Sequence, residues 1–463
     1  LRNRGKIERR TTTLTQGAPV GLANHAPEIA EAVRAVALMP GTGEYALATT
    51  PVHYRRGLGE NASANQNSAS GKTDVLTSLD GLAVELPNCA ASSLIVSWFG
   101  GDLRCGLCQL QPKVEQTVDD GEGMPWSVSG VARSGAVEIV KQAGRSVYGG
   151  TPTDRSVIEG IAALKDAGQA VTFYPFILMD QLDGNGLVDP YTGAADQPVL
   201  PWRGRITTSV APGQSGSPDQ TAGADAEVAA FFGVAAVGDF ADGVNGISYT
   251  GPAEWSYRRF ILHYAHLCAK AGGVEAFCIG SEMRGLTTIR GADGGFPAVE
   301  AMRVLAADVR AVLGSECKIG YAADWSEYFG YHPQDGTGDV YFHLDPLWAD
   351  PEIDFIGIDN YMPLSDWRDG ENHADAEWGS IYNLDYLRAN IEGGEGYDWY
   401  YASAAHDLSQ RRSAISDGLK GEDWIFRYKD LRGWWDSAHH NRIAADPDSL
   451  VDGSPANWGV LGA

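Results

Sequence analysis

The chain has 463 residues, and its 60 acidic against 35 basic residues leave a net charge of −25. That length suits one large domain with an appendage, or two to three domains. The charge excludes nucleic acid and anionic membrane as main partners, because both demand clustered Lys and Arg. No apolar run reaches the roughly 18 residues of a membrane-spanning helix. The acidic balance is compatible with a neutral ligand such as a sugar. The 13 Trp and 19 Tyr residues could supply flat faces for sugar rings, although a single aromatic more commonly fills a core. Six Cys residues are too few for a disulfide scaffold. Cys105 and Cys108 form a lone CxxC, read as a local redox pair or free thiols. No metal site and no cofactor is expected, since a closed zinc site needs four ligands.

Residues 1–85 do not read as part of a regular α/β pattern. Residues 26–35 carry a short helical pattern, residues 41–54 are strand-like, and residues 59–74 (GENASANQNSASGKTD) are a polar loop. The segment is therefore set apart as an N-terminal appendage. Further on, short apolar runs alternate with helical patterns, which signals βα units around a parallel sheet. The runs are 93–99 (SLIVSWF), 170–178 (AVTFYPFIL), 274–279 (VEAFCI), 318–322 (KIGYA) and 354–358 (DFIGI). Between them, Thr151-Pro152-Thr153-Asp154 opens a helix, with Thr151 read as its cap. Residues 255–271 form another, and Pro297 opens a third that presents Val299, Met302, Leu305, Val309 and Val312 on one face before Gly314. Residues 207–225 are a second polar stretch. No glycine-rich phosphate turn follows a strand, which removes the usual nucleotide-binding reading. The predicted fold is α/β, a (β/α)8 TIM-barrel-like domain over residues 86–463, truncated before strands 7 and 8.

In such a barrel the active site lies at the C-terminal ends of the strands. There the sequence places Trp98, Asp180, Ser281, Glu282, Asp324, Trp325, Asp359, Asn360 and Tyr361. Recurrent carboxylates and aromatics at strand ends suit glycosidic cleavage, in which one carboxyl group protonates the leaving oxygen and a second attacks or stabilises the anomeric carbon. Glu282 follows an apolar strand that could raise its pKa, so it is the candidate acid. The other eight are candidate substrate-binding residues. Each also has a plain structural reading: a carboxylate after a strand commonly caps a turn or helix. Asp180, Asp183, Asn185 and Asp189 miss the calcium-loop spacing, because Leu187 occupies a ligand position.

Four stretches carry a family resemblance: 86–108 (LPNCAASSLIVSWFGGDLRCGLC), 277–285 (FCIGSEMRG), 354–364 (DFIGIDNYMPL) and 429–442 (KDLRGWWDSAHHNR). They resemble the large baseplate protein of gene transfer agents and related phage tails, which carries a glycoside-hydrolase-like GTA TIM-barrel-like domain. The resemblance spans about residues 20–445. It implies a tail-tip component, extracellular in the particle and assembled in the host cytoplasm. Its implied partners are other tail and baseplate proteins in a symmetric oligomer and host cell-wall or surface polysaccharide such as peptidoglycan. Residues 1–85 would then attach to the baseplate. By position, Gly280-Ser281-Glu282 resembles the strand-4 motif of retaining glycosidases, with Ser281 where Asn commonly precedes the acid/base. In those enzymes the nucleophile is a Glu ending strand 7, and no apolar strand ending in Glu follows Arg442. The nucleophile is thus expected beyond Ala463, and the chain alone is expected to be inactive or poorly folded. The alternative is a non-catalytic structural hub or glycan-binding barrel.

Overall fold

The five apolar runs are strands, and all five lie in one parallel sheet. The computed structural model describes residues 28–39, 43–57, 59–417 and 421–443. The sheet has six parallel strands side by side in chain order: β1 (Ala35–Leu38), β2 (Ala91–Gly100), β3 (Ala170–Met179), β4 (Ala276–Ser281), β5 (Lys318–Asp324) and β6 (Phe355–Asp359). The sheet curls as part of a (β/α) barrel. Among the described residues no strand bridges β6 to β1, so strands 7 and 8 of a closed barrel are not among them.

β1 corrects the reading of the N-terminal segment. Residues 35–38 (AVAL) pair in parallel register with Ala91–Leu94 and so form the first barrel strand. Four residues are too short to announce a period, which is why the sequence pattern passed over them. Helix α1 (Asp74–Glu85) leads from this segment into β2. The polar stretch 59–74 contributes a strand as well, Glu60–Ser63, which pairs with His53–Gly57 as a hairpin. In the strand-like stretch 41–54, the described part forms mainly turns, and Tyr45, Leu47, Ala48 and Val52 enter the core.

Helices α2 (Asp154–Asp166), α3 (Ala222–Phe232), α4 (Tyr257–Lys270) and α5 (Pro297–Leu313) follow the barrel alternation. In α5, Pro297 starts the helix, Val299, Met302, Leu305 and Val309 are buried, and Gly314 ends it at φ +77°. This is the behaviour expected of proline at the first turn and glycine past the last. The predicted cap of α2 is displaced. Thr151 ties Lys113 N–H and the Ser97 carbonyl, and the helix opens two residues later at Thr153.

The two faces of the sheet differ. Along β2, Ser92, Leu94, Val96 and Trp98 are buried, while Ser93, Ile95 and Ser97 are only half-buried. The buried set packs outward against α2 and α4: Trp98 contacts Phe260, His263 and Tyr264 and donates its indole N–H to the Tyr264 hydroxyl at 3.0 Å. On the inner face only Tyr174, Cys278 and Ala322 form a buried apolar cluster, flanked by Ile95, Phe176 and Phe355. The segment after β6 packs on the loops that follow β5. Val340 and Arg442 exchange backbone hydrogen bonds, and His439 Nδ1 bonds Asp345 at 2.7 Å.

Candidate active site

Glu282 owes its position to irregular backbone. Between β4 and β5 the register advances three residues from Cys278 to Ser281 against two from Gly320 to Ala322, a bulge that re-aims the strand end. Glu282 then adopts φ +50°, a left-handed conformation that a non-glycine residue holds only when its surroundings enforce it. Two hydrogen bonds do so. Glu282 N–H donates to the Ala322 carbonyl at 2.8 Å, and Met283 N–H donates to the Tyr321 hydroxyl at 2.7 Å. The Tyr321 hydroxyl in turn donates to Glu327, a buried carboxyl that also accepts from Thr287 and from the Asp324 N–H. Burial pushes Glu327 up to about 7.

The carboxylate of Glu282 is met by a loop that follows β3. Trp202 Nε1 donates to Glu282 Oε2 at 2.5 Å, and Arg203 Nη2 lies 3.2 Å from the same oxygen. Arg203 is buried. It donates from Nε to the Ser281 carbonyl and from Nη2 to the Ser281 hydroxyl, both at 2.9 Å, and it stacks on the Phe176 ring at 3.7 Å. Two glycines allow the approach. A Cβ on Gly204 would meet the Trp202 ring at 2.3 Å, and one on Gly285 would meet the Ile206 and Gly204 carbonyls at 2.7 and 2.8 Å.

Asp359, at the end of β6, faces the same point. It accepts from the Tyr174 hydroxyl at 2.5 Å and lies 4.0 Å from Arg203. Burial, the Tyr174 hydroxyl and the neighbouring Glu282 carboxyl act on Asp359, and the net result raises it to about 7. A carboxyl neighbour makes ionisation of Asp359 unfavourable. Around them is a cavity of about 880 Å³ to which all six strands or their ends contribute. Ala37 comes from β1 and Met39 from just after it, Ser93 and Ile95 from β2, and Tyr174 and Phe176 from β3.

Of the residues singled out by sequence, Glu282, Asp324, Trp325, Asp359 and Tyr361 line this cavity. Asp324 is turned into its own loop, accepting from Ser326 N–H and hydroxyl. Ser281 lies beneath the site and anchors Arg203. Three residues lie elsewhere. Trp98 is fully buried on the outer face, because strand parity puts it with Leu94 and Val96 rather than with Ser93 and Ile95. Asp180 is buried in an ion pair with Lys113, whose Nζ meets both carboxylate oxygens at 2.8 and 2.7 Å. Asn360 is exposed and caps a turn by accepting from Met362 N–H at 2.9 Å. Sequence reasoning missed Trp202, Arg203, Tyr174 and Phe176. The only signal for the first two is a Trp-Arg pair in a polar loop after a strand. For Tyr174 and Phe176 it is their shared parity on β3, which puts both on the inner face.

Cys105 and Cys108 are buried, unpaired thiols. Burial pushes Cys108 up to about 12 and Cys105 higher still, so both stay protonated and unreactive.

No curated protein matches the chain. Among solved structures it is similar to a GH113 beta-1,4-mannanase, at 15% identity and a TM-score of 0.31, over 78% of this chain and 80% of that one. It is also similar to the GH113 beta-mannanase AaManA from Alicyclobacillus acidocaldarius in complex with ManMIm, at 14% identity and a TM-score of 0.32, over 78% and 66%. Scores this low place no residue of this chain onto theirs. Over residues 255–459, the stretch that carries β4, β5 and β6 with Glu282 and Asp359, the chain matches the family model of the GTA TIM-barrel-like domain.

Proposed function

We propose that this barrel acts on host cell-wall or surface glycan as a retaining glycoside hydrolase, with Glu282 as its acid/base. The observation that carries the reading is the Glu282–Asp359 pair, held by Trp202 and Arg203 at the strand C-termini inside an open cavity. With Asp359 raised to about 7, its own carboxyl retains a proton near neutral pH, beside the Glu282 assigned to acid/base chemistry. Trp202 and Arg203 both hold Glu282 Oε2, which fixes the carboxyl for transfer to a leaving oxygen. Trp325 and Tyr361 border the cavity and offer aromatic faces to sugar rings. The likeness to the GTA TIM-barrel-like domain supports a place in the tail tip or baseplate of a phage-like particle, beside other tail proteins in a symmetric assembly.

Asp359 shares Arg203 with Glu282, and the Glu282 carboxyl is near enough to raise it. In the retaining enzymes that the chain resembles, the nucleophile instead ends strand 7, and no such strand is among the described residues. The crowding of the two carboxyl groups favours the second reading, a barrel that binds glycan without cutting it. The test is release of reducing ends from peptidoglycan and from mixed surface polysaccharides, by the protein carrying its complete barrel and by the Glu282→Gln form of that protein. Release that falls by several orders of magnitude in a folded Glu282→Gln supports the hydrolase. Equal inertness of both, with saccharide still bound, supports the binding barrel.

A further inference from the structure

A second cavity, of about 510 Å³, adjoins Trp202, and among the described residues Trp202 is the one that lines both. Its lining contrasts with the rest of this acidic chain. It contains Arg205 and Arg284 and no carboxylate. Arg284 stands two residues after Glu282, is exposed, and has no ion pair among the described residues. Arg205 stacks on Tyr191 at 4.6 Å, and its nearest carboxylate, Asp189, is 4.0 Å away. His332 also lines the cavity. Its ring is nine-tenths buried, burial lowers it to about 4, and its Nε2 has no hydrogen-bond partner.

These features have a common chemical meaning. A guanidinium without a carboxylate partner at a cavity wall is matched by an anion, and its planar fork suits a carboxylate. A protein carrying a charge of −25 repels acidic polymers in general, so a local cationic cavity is needed if such a polymer is to be held. The neutral His332 imidazole adds a polar wall without a positive charge of its own, its Nε2 buried without a hydrogen-bond partner. Trp202 between the cavities presents an aromatic face next to its bond with Glu282.

We propose that the second cavity is a subsite for an acidic sugar unit: a saccharide bound at Glu282 continues past Trp202 and sets a carboxylate against Arg284 and Arg205. This rests on the reading of the first cavity as a glycan site, and it goes further by specifying the charge of the glycan.

The experiment is calorimetric titration of the whole chain carrying Glu282→Gln with two probes. One is a tetrasaccharide with glucuronate at alternate positions, and the other is the same tetrasaccharide with its carboxyl groups reduced to alcohols. The acidic probe is expected to bind about 10-fold or more tightly, which is the worth of one charge-assisted contact. The preference should shrink as salt rises. Adding Arg284→Met should abolish it, and adding Arg284→Lys, which keeps the charge but not the fork, should retain part of it. Equal affinity for the two probes, no binding of either, or a preference untouched by Arg284→Met together with Arg205→Met would each overturn the subsite. Hydrolysis by the wild-type protein separates this from the preceding proposal. Acidic binding through Arg284 without any cleavage leaves the subsite standing and removes the hydrolase. Cleavage of neutral glycan at Glu282 with no effect of Arg284→Met does the reverse.

Discussion

The outer face of the six-stranded sheet packs Leu94, Val96, Trp98, Phe173 and Phe277 against helices, with all five fully buried. The inner face, built from the alternate residues of the same strands, sets Ser93, Tyr174, Asp324 and Asp359 around a cavity. One sheet thus carries a dry face that provides stability and a polar face that provides chemistry. Apolar burial is non-directional and accumulates over many side chains, so the outer face tolerates no hole but needs no particular geometry. On the inner face a few groups must point at one spot. There the backbone departs from regularity, at the bulge before Ser281 and at the φ of +50° at Glu282.

The contrast is broken most severely from outside. Trp98→Ala should destabilise the protein by about 3–5 kcal/mol, the usual cost of deleting a buried large aromatic, as read by urea unfolding. Glu282→Gln should change stability by less than about 1.5 kcal/mol on the same measure, in keeping with a residue whose role is chemical. A comparable loss in both would mean that the inner face is as structural as the outer.

Glu327 joins the two faces, and its removal should be comparable in size. Glu327→Ala strips the partner from the Thr287 hydroxyl, the Tyr321 hydroxyl and the Asp324 N–H, at about 1–3 kcal/mol for each buried group left unsatisfied. It should also loosen Met283 and with it the conformation of Glu282, so saccharide affinity should fall together with unfolding free energy. Loss of stability without loss of affinity would uncouple Tyr321 from the site.

A smaller and more selective effect is expected at Gly204. An added methyl meets the Trp202 ring, so Gly204→Ala should push the indole off Glu282. Saccharide affinity or hydrolysis should drop about 10-fold with little change in unfolding, consistent with the loss of one hydrogen bond to a carboxyl group. An unchanged affinity would show that Trp202 does not position Glu282.

The pH dependence has a definite sign. Glu327 and Asp359 each have a folded-state value near 7, above their ordinary carboxylate values. The folded state therefore binds protons more tightly than the unfolded state, and the stability from this source is complete below the unfolded values of 4.5 and 3.8. It is lost as pH rises toward 7. Melting temperature should fall over that window, and the slope should flatten in Glu327→Gln. An unaltered slope in that variant would contradict the assignment.

The strands that carry the site were legible because β2 to β6 are long or strongly apolar, and Glu282 and Asp359 were legible because each ends such a run. β1 was not, since AVAL is four residues with no period to read. The partners of Glu282 were not legible either. Trp202 and Arg203 reach it from a loop some 80 residues earlier, and only the close approach allowed by Gly204 and Gly285 brings them there. The outward turn of Trp98 is a matter of strand parity, and parity cannot be assigned until the two faces are known. Asp180 looked like a site residue because its partner Lys113 lies in the irregular excursion after β2, which carries no periodic signal.

The most direct measurement needs no substrate. Carbon-13 NMR titration of the side-chain carboxyl groups, in the wild-type protein and in Asp359→Asn, Glu282→Gln and Glu327→Gln, reads the paired carboxyl groups themselves. One carboxyl titrating near pH 7 should vanish in Asp359→Asn. The same signal should move downward in Glu282→Gln, where the neighbouring charge is gone. A second signal near 7 should vanish only in Glu327→Gln. If every carboxyl outside Glu327 titrates below pH 5, Asp359 holds no proton near neutral pH and the inner face is not the acid site described.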